Sequence, residues 1–283
     1  MTTILEQMLA QYEIEDARDE ENAIKEILQE LILAALSGAG FFKEAIFCGG
    51  TSLRIFYGLN RFSEDLDFSL EKPNSDFDIN DYLPKVVESL KEYGINMEVQ
   101  VKKQKAAVQS AFLKANTLEQ MLYFNTSFDV GHVRKEEKIK IKLEIDTNPP
   151  SGGTYEMKVG LLPSIYDIKI YDSESLFAGK LHSLLCRFWD NRIKGRDLYD
   201  FIFYLSRKTK INISFLENAM KQSGHIKEDE SLDLSRIKEL LRTKFNEIDY
   251  KLAIEDVTPF IKNTEELRLW GKDFFLSLVD MID

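Results

Sequence analysis

Apolar residues recur at helical spacing over residues 18–37. Ala23, Ile24, Ile27, Leu28, Leu31 and Ile32 share one side, and Gly38 and Gly40 follow as stops. The run Ala45-Ile46-Phe47-Cys48 has the character of a short buried strand. Gly49-Gly50 breaks it, and Thr51-Ser52 opens a second helix carrying Leu53, Ile55, Phe56 and Tyr57. Residues 65–70 alternate as a strand, 78–93 carry a helical stripe (Ile79, Tyr82, Leu83, Val86, Val87, Leu90), and 95–101 alternate again. The sharpest period-two pattern lies in 138–146: Ile139, Ile141, Leu143 and Ile145 face one way, and Lys138, Lys140, Lys142, Glu144 and Asp146 the other. A loop at 149–153 and a strand over 165–171 follow. Beyond residue 173 the period is helical, over 174–189, 196–207, 213–222, 234–245, 249–256 and 264–281. The pattern predicts an α+β fold: a mixed sheet flanked by helices in residues 1–172, and a helical part in 173–283.

Composition narrows the function. The chain has 283 residues, 44% hydrophobic and 30% charged, with a net charge of −11. That describes a water-soluble globular protein with a sizeable core and argues against a nucleic-acid binder held by overall charge. No apolar run is long enough to span a membrane, and the first residues lack a signal-peptide pattern, so a cytoplasmic protein is expected. Cys48 and Cys186 sit in apolar contexts and read as core thiols of a reducing compartment. His132, His182 and His225 are far apart along the chain and lack zinc-ligand spacing, which disfavours a zinc enzyme or a Ser-His-Asp hydrolase. Basic residues gather mid-chain (Lys102, Lys103, Lys105, Arg134, Lys135, Lys138, Lys140, Lys142, Arg187, Arg192, Lys194, Arg196). They form either a local basic face or a set of solvated element faces.

The most informative segment is Arg61-Phe62-Ser63-Glu64-Asp65-Leu66-Asp67-Phe68. On a strand, Asp65 and Asp67 share a face, about 7 Å apart at Cα, where both can reach one hard cation or two adjacent ones. Asp-x-Asp by itself is weak, but the glycine pair one strand earlier changes its meaning. Gly49-Gly50 lets a phosphate approach the backbone, and the helix opening at Thr51 offers N–H groups and the positive end of its dipole. The hydroxyls of Thr51 and Ser52 are further candidate donors. A third acid, Glu144 or Asp146, could reach the metal from a neighbouring strand or act as base toward an attacking hydroxyl; an ordinary Lys–Glu strand face is the plain alternative.

Phe47-Cys48-Gly49-Gly50-Thr51-Ser52-Leu53-Arg54 and the Arg61–Phe68 segment resemble the signature of the AbiEii/AbiGii toxin family of DNA polymerase β-like nucleotidyltransferases. The resemblance continues in Lys142–Asp146 and in Ser175–Leu205, and covers roughly residues 40–205 in four blocks. It implies a nucleotidyltransferase fold with a helical C-terminal part, an NTP substrate, Mg²⁺ (or Mn²⁺ in its place) and transfer of NMP to RNA such as tRNA. It also implies an antitoxin partner. By position, Gly49, Gly50, Thr51 and Ser52 would lie at phosphate, with Ser63 in the same nucleotide-contacting group. Asp65 and Asp67 would bind metal, with Asp146, read from the strand face, as the candidate third ligand. Lys180 matches the family's triphosphate lysine and Asp197 its late acidic residue. Gly49-Gly50 stands where many nucleotidyltransferases have Gly-Ser, which leaves open which hydroxyl meets phosphate.

The residues support these positions on their own terms. Lys180 is the lone cation among Leu176, Phe177, Ala178, Gly179 and Leu181, and is either a phosphate contact or a snorkelling helix lysine. Arg187, two turns on, could extend a phosphate site. Asp197 and Asp200 share a helix face, and Asp197 could bind metal, act as base, or hold Lys180 or Arg61. Arg61 could clamp phosphate or pair with an acid. The rival readings are a nucleotidyltransferase acting on protein or a small molecule, and a non-catalytic nucleotide-binding module.

Overall fold

The computed structural model describes residues 3–102, 107–117, 120, 138–187 and 193–283. Lys103, Lys105, His132, Arg134, Lys135 and Arg192 lie outside them. The chain divides into two compact units. The first comprises Met1–Ser52, Phe62–Asn148 and Met157–Ile170, and the second Leu53–Arg61, Pro149–Glu156 and Tyr171–Asp283.

The first unit begins with α1 (Ile4–Leu9) and α2 (Ala17–Gly38), the latter capped by the Asp16 carboxylate, which accepts from the Asp19 N–H at 2.8 Å. The strands are β1 (Ala45–Cys48), β2 (Asp65–Leu70), β3 (Glu98–Lys102), β4 (Val108–Asn116), β5 (Lys138–Asp146), β6 (Tyr155–Gly160) and β7 (Tyr166–Tyr171). They form one mixed sheet in the order β3-β4-β5-β2-β1-β7-β6. β2 pairs antiparallel with β1 and parallel with β5; β1 and β7 are parallel. Helix α3 (Gly49–Tyr57) follows β1, and α4 (Leu83–Glu92) follows a 3₁₀ turn at Ile79–Asp81. α2 packs on α4 and on β5.

Alternation on β2 and β5 divides the sheet as the sequence predicts. Leu66, Phe68, Leu143 and Ile145 are buried on one face, while Asp65, Asp67, Glu144 and Asp146 keep partial access to solvent on the other. The buried face is aromatic: the Phe68 ring lies 4.9 Å from that of Phe41 and 5.3 Å from that of Phe47.

The second unit contains α5 (Ser173–Cys186), α6 (Gly195–Ser206), α7 (Ile213–Gln222), α8 (Leu234–Glu247), α9 (Tyr250–Val257) and α10 (Lys272–Val279). Phe177 stacks on Tyr204 at 4.6 Å, and Phe201, Phe245 and Phe275 continue the core. α6 crosses α9 so closely that a Cβ on Gly195 would stand 1.8 Å from the Ala253 carbonyl oxygen.

The differences from the sequence pattern have local causes. The stripe over 78–93 divides because Pro84 sits in the first turn of α4, where a helix begins afresh. The strand expected from 95 starts at Glu98, because Ile95 still closes the end of α4 through its N–H to the Leu90 carbonyl. The helix expected over 264–281 is a 3₁₀ turn, Glu265–Leu269, and then α10, with extended Gly271 between them. The helix expected over 174–189 is Ser173–Cys186, and residues 188–192 lie outside the described residues. Among the described residues no helix is long and apolar enough to cross a membrane.

Phe68 is 2% exposed and backs the strand that carries Asp65 and Asp67. Phe68→Ala is expected to cost about 3–5 kcal/mol through lost transfer energy and a cavity. Urea unfolding followed by circular dichroism measures that loss.

Candidate active site

The turn between β1 and α3 is built around one carboxylate. Gly49 has φ +76°, and a Cβ there would stand 2.2 Å from Asp67 Oδ2. The first residue of the glycine pair therefore serves the acid on the next strand: Asp67 sits against the backbone where any side chain would displace it. The N–H groups of the first turn of α3 have no partner inside their own helix, as in every helix, and they carry its positive end.

The hydroxyls of Thr51 and Ser52 do not face outward. Both side chains are fully buried. Thr51 Oγ1 donates to the Asp65 carbonyl at 2.5 Å, and Ser52 Oγ donates to the Gly49 carbonyl at 2.7 Å. Thr51 thus straps the opening turn of α3 to the first residue of β2. Both hydroxyls are committed to backbone carbonyls within the protein. Ser63 is fixed through its carbonyl, which accepts from Gln29 Nε2 at 3.0 Å. Gln29, missed from the sequence, is fully buried in α2, and its Oε1 meets no donor among the described residues. Its one signal is a polar side chain between the apolar positions Leu28 and Leu31.

Register brings the carboxylates together. Asp67 lies opposite Cys48 on β1 and Glu144 on β5; Asp65 lies opposite Lys142, and Ser69 opposite Asp146. Glu144 is in a surface ion pair, 2.7 Å from Lys142 Nζ. Asp146 Oδ1 accepts from the Asn148 N–H at 2.9 Å, but burial outweighs that bond and raises the Asp146 pKa above the ordinary carboxylate value. Cys48 has its pKa raised by burial first, then by Asp67 and Asp146, so it stays a neutral thiol between two acids. Among the described residues no three His, Cys, Asp or Glu side chains converge closely enough to hold a metal by themselves. Asp65, Asp67 and Asp146 would offer only oxygen donors, the kind that suits a hard cation completed by phosphate and water.

A second polar cluster lies within the second unit. Arg61 grips Asp200 through two bonds, Nε to Oδ1 and Nη2 to Oδ2, each 2.7 Å, with both side chains buried. Lys180 Nζ lies 2.8 Å from Asp200 Oδ2 and 2.6 Å from Asp197 Oδ1, and Arg187 Nη1 lies 2.7 Å from Asp197 Oδ2. Of the alternatives for Arg61, pairing with an acid is what the structure contains. Asp197 holds Lys180 and Arg187, and Asp200, noted in the sequence only for sharing a face with Asp197, is the most buried member. Burial alone would raise the Asp200 pKa, but Arg61 and Lys180 outweigh it and hold it low. Burial pulls Lys180 down, and Asp197 and Asp200 overcome it, so the lysine stays charged. Elsewhere in this unit His182 and His225, distant in sequence, meet through Ser223 Oγ, 2.9 Å from a ring nitrogen of each.

A mixed sheet with paired aspartates on the strand after a strand–Gly-Gly–helix turn defines a nucleotidyltransferase fold. The family model described as "Nucleotidyl transferase AbiEii toxin, Type IV TA system" matches residues 31–276, and the chain belongs to that family. Among solved structures it is similar to MenT4, a nucleotidyltransferase toxin from Mycobacterium tuberculosis H37Rv, with a TM-score of 0.54 and 14% identity over 99% of this chain and 89% of that one. It is also similar to JHP933 from Helicobacter pylori, with a TM-score of 0.51 and 19% identity over 93% of this chain and 91% of that one. No curated protein matches.

Two outcomes follow from this geometry. Gly49→Ala is expected to displace the Asp67 carboxylate and reduce nucleotidyl transfer at least about a hundredfold, as misplacement of a reacting group by about 1 Å does; single-turnover transfer with labelled NTP reads it. Asp200→Asn leaves Arg61 and Lys180 with too little countercharge in the interior and is expected to destabilise by about 3–5 kcal/mol. Because the folded pKa of Asp200 is depressed, its contribution is complete above the unfolded value of about 3.9 and is lost as pH falls through the folded one. Thermal melts of wild type and Asp200→Asn should therefore differ at pH 7 and draw together toward strong acid.

Proposed function

We propose that this AbiEii toxin transfers the nucleoside monophosphate of an NTP to an acceptor hydroxyl, RNA such as tRNA being the acceptor, with Asp65, Asp67 and Asp146 as the metal-holding and proton-accepting group. The observation that carries this reading is the seating of the Asp67 carboxylate against Gly49, in one row with Cys48 and Glu144. It sets the paired acids beside the opening N–H groups of a helix, where polyphosphate binds without a side-chain donor.

Mg²⁺, or Mn²⁺, when bound, would neutralise phosphate charge and polarise the α-phosphorus. Asp65 and Asp67 would hold that cation from one face of β2. The backbone N–H groups of Gly50, Thr51 and Ser52 cradle the phosphates, and Thr51 keeps α3 and β2 at fixed separation. Asp146, whose pKa burial raises, takes the proton from the acceptor hydroxyl. The acceptor oxygen then bonds to the α-phosphorus as the bond to the β-phosphate oxygen breaks, and pyrophosphate leaves. Lys180 and Arg187 are assigned to phosphate, with Asp197 fixing both and the Arg61–Asp200 pair fixing Lys180. Three cations and two carboxylates leave that cluster one net positive charge. An NTP substrate implies a cytoplasmic site of action, and membership of a toxin–antitoxin family implies a cognate antitoxin.

Asp65→Asn and Asp67→Asn are each expected to abolish transfer from four labelled NTPs to total RNA while leaving the fold intact; full activity in either would overturn the assignment. Label appearing in a protein pool instead of RNA would redirect the acceptor. Asp146 gives a separate signature. Its folded pKa is raised, so its stabilising contribution is complete below the unfolded value and is lost as pH rises through the folded one. At pH 7 Asp146→Asn is therefore expected to match or exceed wild type in melting temperature while losing transfer.

A further inference from the structure

The face of the sheet that carries the carboxylates does not end at β5. Register continues it strand by strand. Asp67, Glu144, Ser110 and Lys102 form one row; Asp65, Lys142, Phe112 and Gln100 form the next. Beyond them lie Lys140, Lys114 and Glu98, then Lys138 and Asn116. From β2 to the edge strand β3 this face extends about 14 Å, and along β5 about 27 Å. Outside the carboxylate group it holds five lysines (102, 114, 138, 140 and 142) against two glutamates (98 and 144) among the described residues, a local excess of three positive charges on a chain of net charge −11. Such concentration of one sign, adjoining the acids that do the chemistry, matches a polyanion.

The bonds within the strip are of the exchangeable kind. Lys138 pairs with Glu98, Lys142 with Glu144, and Lys114 donates to Gln100, all with substantial solvent access. Exposed pairs of this sort contribute about 0–1 kcal/mol each, which a phosphate can replace. Phe112 stands at the centre, half-buried, with Lys102 Nζ 5.0 Å from its ring centroid. An aromatic ring among lysines suits an unpaired base stacked beside its backbone, and a duplex offers no such base. On β5 the opposite face is apolar (Ile139, Ile141, Leu143, Ile145) and packs on α2, so the lysines of that strand lie on the face away from the core.

We propose that this strip on β3, β4 and β5 seats the acceptor as a single-stranded polynucleotide end, its phosphates on Lys102, Lys114, Lys138 and Lys140, a base on Phe112, and its terminal hydroxyl delivered to Asp65, Asp67 and Asp146. The proposal rests on the nucleotidyltransferase reading and adds the acceptor's place and strandedness.

The test uses the full chain and a fluorescein-labelled single-stranded RNA oligonucleotide, with anisotropy recorded over a salt series. Lys114→Gln/Lys140→Gln is expected to weaken binding at least about tenfold and to lower the slope of log K against log salt by about 1.4, two phosphate contacts at about 0.7 each. Lys85→Gln/Lys91→Gln, the same charge change on α4, should leave both unchanged, and NTP affinity should be the same in all variants. Phe112→Leu should weaken the single strand at least about fivefold and leave duplex RNA unaffected. Equal effects from both lysine pairs, no effect from either, duplex bound as tightly as single strand, or polyglutamate competing as well as RNA would each overturn the proposal. Wild type that transfers to protein without binding RNA would sink the strip and leave the transferase reading standing. RNA binding with the predicted variant pattern, but no transfer to any acceptor, would support the strip and sink the transferase reading.

Discussion

One contact sets the geometry where β1, α3 and β2 meet: the carboxylate of Asp67 against the backbone of Gly49. A negative charge pressed onto the start of a helix is stabilised by the dipole and by N–H groups that have no partner in the helix itself. It is also confined, because the backbone that bounds it cannot move without unpairing β1 from β2 and β7. Thr51 supplies the reciprocal restraint by donating to the first carbonyl of β2. Together they make the glycine turn and the acid-bearing strand a single rigid object.

The cost of that arrangement is carried by the face behind it. Leu66 and Phe68, interleaved with the acids, are buried among Phe41, Phe47 and neighbouring aliphatics, so the strand is anchored by apolar packing on one side while its other side stays polar. Asp146, raised in pKa by burial, and Cys48, raised by burial and two acids, show the strain that remains. Acids that burial makes harder to ionise contribute little to folding, and they persist where chemistry uses them.

The second unit solves a different electrostatic problem. Arg61, Lys180 and Arg187 alternate with Asp200 and Asp197 in a chain of contacts of 2.6–2.8 Å. Burial penalises the charges of Arg61, Lys180 and Asp200, and each is kept charged by its neighbours. Removal of Asp200 is more damaging than the pair energies suggest, because Arg61 and Lys180 are left in the interior with too little countercharge. The arrangement holds Lys180 in one place and gives α5 and α6 a fixed polar joint inside an otherwise aromatic core.

Local periodicity settled a good part of this in advance. Strand 138–146 and helix 213–222 carry strong patterns and were legible to the residue, as was the sharing of one strand face by Asp65 and Asp67. β4 was not legible, because its inward positions Ala111 and Ala115 are too small to mark an apolar face, and β6 was not because its apolar residues Tyr155, Met157 and Val159 are exposed. Residue type, spacing and the family resemblance by themselves supplied the candidates: the paired acids, the glycine turn, the lysine and the late aspartate. Only tertiary structure decided their partners. That Thr51 reaches Asp65, that Arg61 belongs to Asp200, that Gln29 steadies Ser63, and that five lysines on three strands share the face of the carboxylates all depend on which strands and helices lie side by side, and no local pattern encodes contacts between residues 14 to 139 positions apart.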